Sequence, residues 1–153
     1  MDIQISFQYK KNNKSLRAVS TELKRFATKL DTDNKVLVAF VDDTTIQQIN
    51  KRFKHRDRPT NVLSFELDQM DPEDGKITLG EIIISVDTAE REASGAGIPL
   101  IRRLIELFIH GYVHLLGYDH TLSHNEYVRM KRKEDSFMRL IYAKDRRTTG
   151  KKV

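Results

Sequence analysis

The segment His110-Gly-Tyr-Val-His114-Leu-Leu-Gly117-Tyr-Asp-His120 places three imidazoles at the spacing His-x3-His-x2-Gly-x2-His. An α-helix turns once in about 3.6 residues, so His110 and His114 share a helix face and can reach one ion together. A third ligand needs a change of chain direction. Gly117 can take the left-handed conformation that ends a helix and brings His120 round to the same point. Three protein ligands leave a coordination position open, which is the catalytic rather than the structural arrangement of zinc. Zinc is therefore the expected ion, although an all-imidazole site also suits nickel or copper. The chain has no cysteine, so only histidines and carboxylates are available as metal-binding side chains. One histidine on an amphipathic helix would be read as a hydrogen-bonded surface residue. Four of the five histidines fall between positions 110 and 124, which points to metal instead.

The same histidine spacing occurs in metzincin proteases, where a glutamate follows the first histidine and serves as general base. Gly111 stands there in this chain, which argues against proteolysis. Phosphodiester cleavage has a different requirement: an activated nucleophile and positive charge around the phosphoryl oxygens. The run Lys51-Arg-Phe-Lys54-His-Arg56-Asp-Arg58 supplies such charge, with Lys54, Arg56 and Arg58 as candidate phosphate-binding residues. Further basic clusters lie at Lys131-Arg132-Lys133 and from Lys144 to Lys152, and the formal net charge is +5. A polyanionic partner such as RNA fits this balance. Asp119, beside the last histidine, or a group of the substrate is the candidate for handling protons, with Lys54 as a candidate catalytic cation.

These residues need elements to hold them. Residues 2 to 8 alternate apolar and polar as a half-buried strand does. Leu16, Val19, Leu23, Phe26 and Leu30 recur at helical steps, and a second strand spans about 35 to 41. Asp42 or Asp43 caps the next helix, with Ile46, Ile49 and Phe53 as its buried face. Residues 61 to 67 alternate again. The turn pair Asp74-Gly75 joins that strand to Leu79–Val86, whose run Ile82-Ile83-Ile84 predicts burial on both faces and leaves the 61–67 strand nearer the edge. A short helix from Asp87 to Ser94 is expected to break at Gly95 and Gly97, with Pro99 as the first position of the metal helix. On that helix Arg103, Glu106, His110 and His114 form one stripe, so Glu106 is a candidate to orient His110, although an ordinary helix-surface glutamate is the commoner reading of such a position. Ser123-His-Asn-Glu126 is a capping box, which puts His124 on the surface rather than at the ion.

The fold class expected is α/β, α+β-like, a small mixed sheet flanked by helices with a zinc-hydrolase-like metal helix. At 153 residues, one domain over 1–145 and a basic, disordered tail over 146–153 are expected. No apolar run is long enough for a membrane span or secretory leader, so a cytoplasmic protein is expected.

The histidine segment resembles the signature of the YbeY family of metal-dependent endoribonucleases. Pro59-Thr-Asn61-Val-Leu-Ser-Phe65 and Leu79-Gly-Glu81-Ile82 with Ile84-Ser85 resemble its other motifs in the same order, so the similarity covers about residues 36 to 140. The resemblance implies an enzyme of ribosomal RNA processing, in particular of the 16S RNA 3′ end, and of ribosome quality control. It implies the ribosome or small-subunit ribosomal proteins as partners, and His110, His114 and His120 as the metal ligands. Departures from the family pattern occur at Lys54, where an arginine is usual, at Glu81, where an aspartate is usual, and at Glu66, where proline is common. Lysine keeps the charge but loses the planar fork of arginine, so phosphate binding can pass to Arg56 or Arg58. Two alternatives to the ribonuclease are a metallopeptidase and a non-catalytic ribosome assembly factor with a structural metal.

Overall fold

Runs of alternating or continuous apolar residues form four strands, β1 (Asp2–Phe7), β2 (Lys35–Val41), β3 (Val62–Met70) and β4 (Ile77–Ser85). The structure is a computed structural model that describes residues 1–11, 13–119, 121 and 123–143. The strands join in the order β1-β2-β4-β3, with β1, β2 and β4 parallel and β3 antiparallel to β4. The sheet is thus mixed, with β3 on its edge. Five helices accompany it: α1 (Lys14–Thr28), α2 (Asp43–Lys54), α3 (Val86–Ala96), α4 (Leu100–Leu115) and α5 (His124–Tyr142).

The period of two in a strand divides the core. Val36, Val38, Phe40, Ile82 and Ile84 face one cluster with Leu23, Phe26, Leu104, Phe108 and Tyr112, while Ala39, Val41, Leu63 and Ile83 face a smaller one with Ile46 of α2. Burial on both faces is why β2 and β4 read as continuous apolar runs. Between α1, α4 and α5 the rings of Phe26, Phe108, Tyr112 and Phe137 pack mostly edge-to-face, with centroids 5.3 to 6.3 Å apart.

Several expected boundaries move. Leu30 lies just beyond α1, Gly95 is inside α3 so that Gly97 alone ends it at φ 68°, and Pro99 precedes α4 as its N-cap. β3 runs on to Met70 through a register shift between Glu66 and Gln69, with Asp68 at φ 46°. The buried Lys35 ammonium on β2 pairs with Asp71 and Asp74 and ties down the β3–β4 turn; these two carboxylates raise the lysine pKa. The largest correction concerns Phe53, which is exposed, while Asn50 takes the buried place on α2. Among the described residues no helix is long and apolar enough to cross a membrane.

Candidate metal centre and nucleic-acid cleft

α4 lies against β3 and β4 at a close approach that Gly111 permits. A Cβ there would come within 2.8 Å of Ile82 Cγ2 and 3.0 Å of Ser64 Oγ. The glycine that denies a peptidase its general base is thus a packing requirement of the helix. His110 and His114 emerge beside it with ring centroids 4.7 Å apart. The helix ends with Gly117 at φ 99°, where Gly117 N–H donates to His114 O and Tyr118 N–H donates to Val113 O, a Schellman-type stop. That turn brings the Tyr118 carbonyl to 3.1 Å from His114 Nδ1. A carbonyl only accepts, so Nδ1 carries the proton and Nε2 the lone pair.

His110 is oriented the same way from another element. Its Nδ1 lies 2.8 Å from Glu134 Oε1 on α5. Burial alone would raise the Glu134 pKa, but the hydrogen bond with His110 and the charges of His110, Lys131 and His114 outweigh it and hold it low. Glu134 is therefore an ionised acceptor and His110 Nδ1 a donor. Metal-ligating histidines characteristically donate their second nitrogen to a carboxylate or carbonyl, so the donor set fits a divalent transition ion. Glu106, one candidate for that orienting role, pairs with Arg103 at 3.4 Å. Glu134 lies 24 positions from His110, beyond any local motif. A signal did exist: Met130, Phe137 and Ile141 form the buried stripe of α5, and Glu134 interrupts it as a half-buried acid. His120 lies outside the described residues, and among those described no cluster of three ligand-type side chains occurs. The basic tail lies outside them too. His124 is exposed and stacks on Tyr127, as its position in a first helical turn predicts.

Beside the histidines opens a cleft of about 730 Å³, bordered by β3, the end of α4 and the loop after α2. Lys54, Arg56 and Arg58 all line it, as do Asp119 and Glu66. The loop is held by the buried Asn50. Its carbonyl accepts from His55 and Arg56 N–H, and its side-chain amide donates to Arg58 O at 2.8 Å. His55 takes the left-handed conformation, φ 58°, that turns the chain there. Asp119 is braced by its neighbour: Thr121 donates to Asp119 Oδ1 from its backbone at 2.9 Å and from its hydroxyl at 2.7 Å.

The family profile described as "Endoribonuclease YbeY" matches residues 2–141. The chain belongs to the YbeY family. A relative named Endoribonuclease YbeY from Syntrophus aciditrophicus is 38% identical over 149 residues, covering 93% of this chain and 91% of its own. Another, from Persephonella marina, is 36% identical over 132 residues, covering 86% of each chain. The solution structure of TM1509 from Thermotoga maritima superposes with a TM-score of 0.63 at 29% identity, over 92% of this chain and 89% of that one. Of the departures from the YbeY pattern, Glu81 precedes Ile82 and shares the sheet face of Ile83, away from α4 and its histidines. Glu66 shares the face of Ser64 and adds a carboxylate to the cleft.

Proposed function

We propose that this YbeY-family chain is an endoribonuclease that cleaves single-stranded RNA in ribosomal RNA processing, using a divalent ion held by His110, His114 and His120. The observation that carries the reading is the anchoring of two imidazoles by Glu134 and the Tyr118 carbonyl at the margin of a cleft that also presents Lys54, Arg56 and Arg58. Zinc suits the donor set, and nickel is the next candidate. When bound, the ion supplies Lewis acidity at the scissile phosphate.

The chain's own residues do the rest. Arg56 and Arg58, held by Asn50, grip the phosphates flanking the scissile bond, and Lys54 adds a point charge. Asp119, its carboxyl braced by Thr121, accepts the proton released at the attacking oxygen. The carbonyl of Tyr118 and the carboxylate of Glu134 keep both imidazoles in one tautomer throughout. The partner in the cell is the small ribosomal subunit and its RNA, which places the protein in the cytoplasm. The metallopeptidase and structural-metal alternatives find no support: the relatives are endoribonucleases by name, and Gly111 leaves no room for a side chain.

The test is incubation of metal-loaded protein with an end-labelled single-stranded fragment of ribosomal RNA, beside a chelated sample and His114→Ala. Cleavage by the metal-loaded chain alone is expected. Intact RNA in all three samples would overturn autonomous catalysis, and equal cleavage by His114→Ala would overturn the ligand assignment.

A further inference from the structure

Phe53 occupies a position where the helical stripe of Ile46 and Ile49 predicts burial, yet 57% of it is exposed. The ring is not isolated. It meets Phe65 of β3 edge-on at 5.5 Å and 65°, and Phe65 packs onto the small core cluster beneath α2. The Arg52 guanidinium lies 5.3 Å from the centre of the Phe53 ring, and the Lys54 ammonium 5.5 Å from that of Phe65. Lys54 also lines the histidine cleft. The aromatic pair therefore begins where the cleft's basic margin ends, across the edge strand β3.

We propose that Phe53, backed by Phe65, is a stacking platform for an unpaired base of the RNA strand whose phosphates lie on Lys54, Arg56 and Arg58. This rests on the ribonuclease reading above. A stacking platform needs exposed ring surface, a neighbour that braces the ring and nearby positive charge for the backbone; Phe53 is more than half exposed, meets Phe65 edge-on and lies beside Arg52 and Lys54. Bases inside a duplex have both faces covered by their neighbours, so the platform selects unpaired RNA without reading its sequence. The other exposed phenylalanine, Phe7, is 46% exposed but stacks on Phe40 at the β1 edge, the far side of the sheet from the cleft. Charge complementarity favours RNA over an apolar protein segment as the occupant, because Arg52 and Lys54 lie against the rings and Arg56 and Arg58 line the adjoining cleft.

The chain contains no tryptophan, so Phe53→Trp installs a single reporter at the platform. Binding is measured with the full metal-loaded chain and a cleavage-resistant 2′-O-methyl oligoribonucleotide, single-stranded or in a duplex. Phe53→Ala and Phe53→Leu are expected to weaken single-strand binding about tenfold, the usual loss for one stacked base. Phe53→Trp should bind as the wild type does, with its fluorescence quenched by the single strand and not by the duplex. Removal of the ring should leave the salt dependence of binding unchanged, whereas Arg56→Ala lowers it. Wild-type affinity in Phe53→Leu, or an unquenched tryptophan in the bound complex, would overturn the platform; the former would point to an apolar contact for a protein instead. Absence of RNA binding by the wild type would sink the ribonuclease reading itself. Binding lost in Arg56→Ala but intact in Phe53→Ala would sink the platform alone.

Discussion

His110 and His114 differ in what orients them, and the difference has consequences for metal affinity. His114 is held by a carbonyl from its own helix stop, which no side-chain substitution removes, whereas His110 depends on the Glu134 carboxylate. Side chains that orient ligands in this way are worth roughly 10- to 100-fold in metal affinity. Glu134→Gln is therefore expected to weaken zinc binding about tenfold or more in a chelator competition, with the fold unchanged by circular dichroism. Glu106→Gln, which disturbs the contact with Arg103, should leave affinity at the wild-type level; a matching loss there would mean that the assignment of Glu134 is wrong. Asn50, at the wall of the cleft, shows how a single buried amide can shape a site, since it sets the loop carrying Arg56 and Arg58.

At the level of elements, the approach of α4 to the sheet decides where the cleft lies. Gly111→Ala would gain about 1 kcal/mol in helix propensity, but its methyl group would press on the β-branched Ile82 and on Ser64, which lie on different strands. Overpacking of this kind costs about 1–3 kcal/mol, so a net loss of about 1 kcal/mol is expected in urea denaturation. A second contact joins α2 to α3. Asp43 in the first turn of α2 accepts from Ser85 Oγ at 2.7 Å, Thr88 Oγ1 at 2.6 Å and Arg91 at 2.8 Å. Burial would raise its pKa, but the hydrogen bonds from Thr88 and Ser85, with the Arg91 charge, hold it below the ordinary aspartate value. A pKa lowered by folding gives stability that is complete above the unfolded value and lost as the pH falls through the folded one. Asp43→Ala should cost about 2 kcal/mol at neutral pH and less in acid, so the mutant and wild-type stability curves converge as pH drops. Parallel curves would refute this. On the adjoining side Tyr9 donates to Asp87 at 2.8 Å, and burial followed by that bond pushes the phenol up to about 12.

Over the whole molecule, the net charge of +5 matters less than its placement. Lys54, Arg56 and Arg58 meet on one cleft wall, although they come from a helix end and the irregular loop that follows. If each neutralises one phosphate of a single strand, each substitution by alanine should reduce the slope of log affinity against log salt by about 0.7. Titrations at several salt concentrations check this, and an unchanged slope for Arg56→Ala would remove that residue from the phosphate track. Lys131 tests the same principle at a distance, because it lies by Glu134 in the neighbouring cleft between α4 and α5 rather than with these three.

The sequence by itself determined the local structure and half of the chemistry. The strand and helix periods follow from backbone geometry, so β2 could be bounded at 35–41 and His110 placed over His114 without any tertiary knowledge. The cap at Ser123 was legible for the same reason, and that of α2 was narrowed to Asp42 or Asp43; the side chains of Ser123 and Asp42 each accept from a backbone N–H three residues on. Only the tertiary structure decided which distant groups meet. It set Glu134 against His110, turned Glu81 to the far face of the sheet, and opened Phe53 to solvent. α2 ends beside the edge strand β3, where Phe65 meets the Phe53 ring edge-on and leaves more than half of that residue exposed. Periodicity reports which face of an element is apolar; it does not report how far the neighbouring element extends to cover it.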